Sequence, residues 1–239
     1  ITFVILLINA IFYELLEYFT KMEKQISMTN YYLSCSVKFT IFTFLNSAIV
    51  PFVSKHIERR ILHHDEINSG ISRDNLLVLD MFIFFLVNAV IVPLGWLINY
   101  SFITKRLKIC CFFKKGYNNL YYTQRELNEV YERNDMQIAY KYSYIAKTLL
   151  VTVFYMPIFP FGVIITTCGL ILSYLWELYL FIHQYRRPEM LNEAISMFYA
   201  RNFIILLFVA ALGDYIFMHN VFSSRAYSLI NIILFGVLI

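Results

Sequence analysis

The sequence predicts an all-α fold, a polytopic transmembrane helical bundle of about seven spans, and three observations predict it. Hydrophobic residues fill 59% of the 239 positions and charged ones 15%, well short of the roughly one quarter charged that a water-facing surface carries. The apolar residues gather in runs of about 20, the helical length that crosses a hydrocarbon core. Lys and Arg concentrate in alternate connections between those runs.

Lipid offers no partner for a free amide or carbonyl, so each run must be a helix. The expected spans are residues 1–19, 31–53, 76–103, 142–159, 161–182, 198–217 and 226–239. The fourth and fifth come from one apolar run, 142–182, which as a single helix would measure roughly 60 Å, twice the bilayer core. A turn back is expected at Pro157-Ile158-Phe159-Pro160-Phe161-Gly162, where prolines remove donors and glycine permits a tight bend. A kinked oblique helix is the rival. The whole chain reads as a single transmembrane pore domain, and as a piece of a longer protein, since both ends fall inside apolar runs.

Connections 20–38, 104–141 and 183–197 hold thirteen Lys and Arg, against five in the connections between them. The richer side is expected to be cytoplasmic. Within the cytoplasmic loop 104–141, Thr123-Gln124-Arg125-Glu126 has capping-box spacing, and Leu127, Val130 and Tyr131 follow at helical intervals. A short amphipathic helix is expected there. Cys110-Cys111 lies between two basic stretches at a membrane edge, a pattern that suits palmitoylation and anionic lipid contact.

The charges within spans avoid the middle. Glu14, Glu17, Lys38, Lys147, Glu177 and Arg201 fall near the cytoplasmic ends, and Asp80 and Asp214 near the outer ends. Snorkelling or interfacial pairing accounts for each one singly. As a group, Glu14, Glu17, Lys21 and Glu177 are candidates for a cytoplasmic vestibule. Neutral polar residues, Asn9, Asn46, Asn88 and Thr152, take the centres of the first four spans. They are either interhelical hydrogen-bonding groups, worth about 0.6 kcal/mol each, or the lining of a narrow lumen. With Asn99, Tyr100, Lys147 and Tyr155 they make the pore-lining candidates. Candidate gating hinges are Pro93, Gly95, Pro157, Pro160 and Gly162.

Nothing in the sequence has the spacing of an enzyme's site, so no catalytic role and no cofactor are expected. The cysteines lack zinc-site or disulfide spacing, and His63-His64-Asp65-Glu66 reads as a solvated loop cluster rather than a metal site. A net charge of +4 is too small and too dispersed along the chain to suggest nucleic acid, and no nucleic-acid partner is expected.

With the spans placed, the order of features resembles the OSCA and CSC family of calcium-permeable stress-gated cation channels, in the superfamily with anoctamins and transmembrane channel-like proteins. Four stretches carry the likeness: Thr20-Lys21-Met22-Glu23, Phe42-Thr43-Phe44-Leu45-Asn46, residues 123–130, and Pro157 to Ile164 with its paired prolines. The resemblance implies a mechanosensitive or osmosensitive, poorly selective channel opened by membrane tension, with each subunit's own pore lined by the first four or five spans. It implies a homodimer in contact with membrane lipids and permeant cations, as a multi-pass protein of the plasma membrane or an endomembrane. Where that family often carries a Glu at the cytoplasmic pore mouth, this chain has Asn99-Tyr100. Tyr185-Arg186-Arg187-Pro188 resembles an anoctamin stretch, which implies a scramblase or channel as the alternative. That alignment puts Glu177 on one calcium-binding position but Ser173 on the next, and residues 142–159 hold no carboxylate. Calcium takes six to eight oxygens, with several carboxylates, so the implied site is incomplete.

Overall fold

A computed structural model describes residues 2–62, 74–97, 100–115, 123–186 and 192–221, and among them the chain is helical with no strand. The elements are α1 (Thr2–Met22), α2 (Met28–Leu62), α3 (Asp74–Leu86), a π-helical turn (Val87–Ile91), α4 (Val92–Leu97), α5 (Tyr100–Lys115), α6 (Gln124–Tyr131), α7 (Ile138–Tyr155), α8 (Phe161–His183), α9 (Ala194–Arg201), a 3-10 turn (Asn202–Ile204) and α10 (Ile205–Val221). Three stretches are long and apolar enough to cross a membrane: Met28–Pro51, Phe161–His183 and Ala194–Phe217. Met81–Trp96 is a shorter apolar segment. The expected span 226–239 and the cluster His63-His64-Asp65-Glu66 lie outside the described residues.

Several boundaries differ from the sequence expectation. Helix α2 runs on to Leu62 through Pro51, which cannot donate to the Ser47 carbonyl. Beside that break the Tyr155 hydroxyl donates to the Ala48 carbonyl at 2.6 Å. Residues 104–115, expected as loop, belong to α5, because no proline or glycine interrupts them. Span 76–103 is not one uniform helix. Val92 N–H donates to the Val87 carbonyl, five residues back, across the π-helical turn.

Helix α7 ends at Tyr155 and α8 starts at Phe161, with Pro157 and Pro160 in the turn between them. The chain turns back there, and the facing hydroxyls of Thr152 and Thr166 lie 2.8 Å apart. Gly162 sits tight in this turn, since a Cβ there would meet the Phe85 ring at 3.0 Å.

Helix α7 packs against α2, α8 and α10. Its Val151, Phe154 and Tyr155 join Ala48, Met81, Phe84 and Phe85 in one buried cluster that also takes Phe217 from α10. Between helices in lipid, association rests on close packing rather than on expulsion of water, which favours small residues at contacts. A Cβ at Gly169 would fall 2.5 Å from Ala89 Cβ, and one at Gly213 only 2.4 Å from the Phe154 carbonyl oxygen. Tyr199 ties α9 to α2 through Ser36 at 2.8 Å and Thr40 at 3.1 Å. The outer faces are apolar: Ile164, Ile171 and Tyr174 on α8 and Phe203 and Phe208 on the last helices are exposed.

Candidate functional site

One face of α7 is polar along most of its length. Tyr144, Lys147, Thr148, Thr152 and Tyr155 recur at three- and four-residue intervals and are all buried, so they form one stripe on the helix. The stripe spans about 16 Å at 1.5 Å per residue; Tyr144 to Thr152 face the π-helical turn and α8, and Tyr155 reaches Ala48 of α2.

The π-helical turn explains the centre of the stripe. In its register, residue 93 would donate to the Asn88 carbonyl, but residue 93 is proline and has no N–H. The Tyr144 hydroxyl takes that role, donating to the Asn88 carbonyl at 2.6 Å. The Asn88 side chain is also committed. Its Oδ1 accepts from Lys147 Nζ at 2.8 Å, and its Nδ2 donates to Thr148 Oγ1 at 3.2 Å. Lys147 Nζ lies 5.1 Å from the Tyr144 ring centroid. Lys147 thus shares the depth of Asn88, instead of snorkelling to a helix end.

At one end the stripe runs into a cleft of about 650 Å³. Trp96 is the link: its ring lies 4.8 Å from that of Tyr144, and Lys141 Nζ sits 3.3 Å above its centroid. Lys141 also forms an ion pair with Glu177 of α8. The cleft wall carries charge of both signs, with Lys105, Arg133 and Arg186 near Glu129, Glu132 and Asp135. Segment 132–135 is fastened to the end of α8. Arg186 pairs with Glu132 at 2.5 Å, Arg186 N–H donates to the Asn134 carbonyl at 2.9 Å, and Arg133 donates to the Ile182 carbonyl at 3.2 Å. Burial, with the nearby Glu177 charge, pushes the Tyr185 hydroxyl up to about 12.

The sequence-derived candidates divide into groups. Asn88 of the π-helical turn meets Lys147 at the stripe, and Thr152 and Tyr155 continue it along α7. Asn9 and Asn46 pair separately, Asn46 Nδ2 donating to Asn9 Oδ1 at 2.8 Å between α1 and α2. Gly95 lines the cleft, and a Cβ there would meet nothing within 4 Å. Pro93 is buried beside the π-helical turn, whereas Pro157, Pro160 and Gly162 belong to the turn before α8. Of the vestibule candidates, Glu177 reaches the cleft through Lys141, while Glu17 and Lys21 pair on α1 at 2.6 Å and Glu14 is exposed. Tyr100 opens α5, and Asn99 lies outside the described residues. Sequence reasoning missed Trp96, Lys141, Tyr144 and Thr148. The last two share the periodic face of Lys147 and Thr152, a signal that was present in the spacing.

Glu177 is held by an ammonium, and the Ser173 hydroxyl donates to the Leu170 carbonyl of its own helix at 2.8 Å. Among the described residues no three His, Cys, Asp or Glu side chains are grouped to hold a metal. Comparison with family models, curated proteins and solved structures finds no match to the chain.

Proposed function

We propose that the chain is the pore-bearing region of a mechanosensitive, poorly selective, calcium-permeable cation channel opened by membrane tension. In this proposal it makes seven spans of a multi-pass protein in the plasma membrane or an endomembrane, works as a homodimer, and catalyses nothing. The observation that carries the reading is the buried polar stripe of α7, leading from the charged cleft into the helix core. Polar groups at membrane depth are costly, and an ionisable one such as Lys147 marks a functional site by default. In the present arrangement every polar side chain of the stripe is hydrogen-bonded to protein, which is a closed state. Tension favours the arrangement of larger in-plane area. The π-helical turn is the bistable element, because return to the α register reassigns the Asn88 carbonyl.

A fixed ammonium on the pathway repels cations, so the charge of Lys147 limits the preference for cations and keeps the pore poorly selective. The test is pressure-clamp recording from the full protein reconstituted in liposomes. Stretch-evoked cation current is expected, with Lys147→Glu raising calcium permeability relative to chloride. Silence across the full tension range would overturn the reading.

The mixed-sign cleft favours a second reading, a phospholipid scramblase, since a zwitterionic headgroup presents both charges to such a wall. Bleaching of labelled inner-leaflet lipid by dithionite, without current, would put this reading first.

A further inference from the structure

Helix α5 carries five Lys and Arg and no Asp or Glu over its sixteen residues, Tyr100–Lys115. Lys105 fixes its orientation by donating to the Glu132 carbonyl at the end of α6 at 2.9 Å. At about 100° per residue, the opposite face holds Ile103, Leu107, Cys110 and Cys111, with Lys114 following on the same face toward the end of the helix. Ile103 and Leu107 are 42% and 60% exposed, and both thiols are exposed and free. Arg106 and Lys108 flank this apolar stripe and are themselves exposed. An exposed apolar stripe between cations, on a helix without carboxylates, complements an anionic lipid surface and not a protein groove. The apolar segment Met81–Trp96 precedes it in sequence, which keeps α5 near the bilayer.

We propose that α5 lies in the plane of the anionic cytoplasmic leaflet and that Cys110 and Cys111 are S-acylated there. The co-reactant is a long-chain acyl-coenzyme A thioester. The cysteine Sγ attacks the acyl carbonyl, a new carbon–sulfur bond forms as the bond to coenzyme A breaks, and coenzyme A leaves with the thiol proton. No electrons change hands. The acyl chains enter the leaflet beside Ile103 and Leu107, and the cations meet lipid phosphates. The proposal needs only the cytoplasmic orientation of this connection and is independent of whether the pore conducts.

The experiment uses the full protein in membranes of a eukaryotic host. Free thiols are blocked with N-ethylmaleimide, thioesters are cleaved with hydroxylamine, and the released thiols are tagged with a polyethylene-glycol maleimide. Two hydroxylamine-dependent tags per chain are expected, one in Cys110→Ser or Cys111→Ser and none in the double variant. Mass spectrometry of the wild-type peptide bearing both cysteines gives the same answer without substitution. Unmodified thiols at both positions would overturn the proposal. So would labelling of either by an impermeant maleimide in intact cells, which would put α5 on the side without acyl-coenzyme A.

Discussion

Lys147 shows how burial turns a long cationic side chain from a rim group into a structural one. Its ammonium is buried and donates to Asn88 Oδ1. Removing the acceptor leaves a charge in an apolar interior, and removing the charge leaves an amide oxygen with one contact fewer. The first costs far more. Asn88→Ala is therefore expected to destabilise the protein by about 3 kcal/mol and Lys147→Met by under about 1 kcal/mol. In the Lys147→Met background, Asn88→Ala should cost about 1 kcal/mol. Thermal unfolding in detergent measures this cycle, and additive effects would remove the Asn88–Lys147 bond from the account. In a second residue-scale case the carboxylate, Glu23, lies between α1 and α2. Lys38 donates to Glu23, and this bond holds the Glu23 carboxyl below its ordinary value of 4.5. With the folded value lower than the unfolded one, the pair's contribution is present above about pH 4.5 and is lost as pH falls through the folded value. Wild type should unfold at a higher temperature than Glu23→Gln at pH 7 and low salt, and the gap should close at pH 3. A gap that persisted at pH 3 would assign the difference to another cause. The pair is exposed, so added salt should shrink it.

At the scale of elements, the π-helical turn is a contest between two donors for one carbonyl. Pro93 cannot supply the backbone N–H, and Tyr144 supplies a hydroxyl from a different helix. Tyr144→Phe should orphan the Asn88 carbonyl and cost about 2 kcal/mol. Pro93→Ala returns an N–H to the same position, so the double variant should recover part of that loss. A double variant no more stable than Tyr144→Phe would mean that Pro93 does not create the vacancy. The turn before α8 obeys a simpler local rule. Two prolines without donors and one glycine in close contact with Phe85 end one helix and begin the next, and this much was legible in Pro157 to Gly162. The π-helical turn was not, since its partners lie 56 and 59 residues away in sequence. Asn88 and Lys147 were each conspicuous as polar groups within an apolar run, yet nothing local joined them.

At the scale of the whole molecule, the exposed apolar faces of α8 and α10 exceed what a water-soluble surface tolerates. The protein should remain in the membrane pellet after alkaline carbonate and enter solution only with detergent, as immunoblotting of the fractions would show. Release by carbonate alone would contradict a spanning arrangement. Composition and apolar run length by themselves determined the helical class, the approximate helix positions and the polar residues worth attention. Those properties follow from lipid's lack of hydrogen-bonding partners, which acts on every residue wherever its neighbours are. Only the tertiary structure decided the continuation of α2 beyond Pro51, the pairing of Lys141 with Glu177, the depth of Lys147 and the cleft beside Trp96. Each depends on which distant helix meets which face. That is a question of packing and of donors left unmatched by proline, and both are properties of pairs of helices.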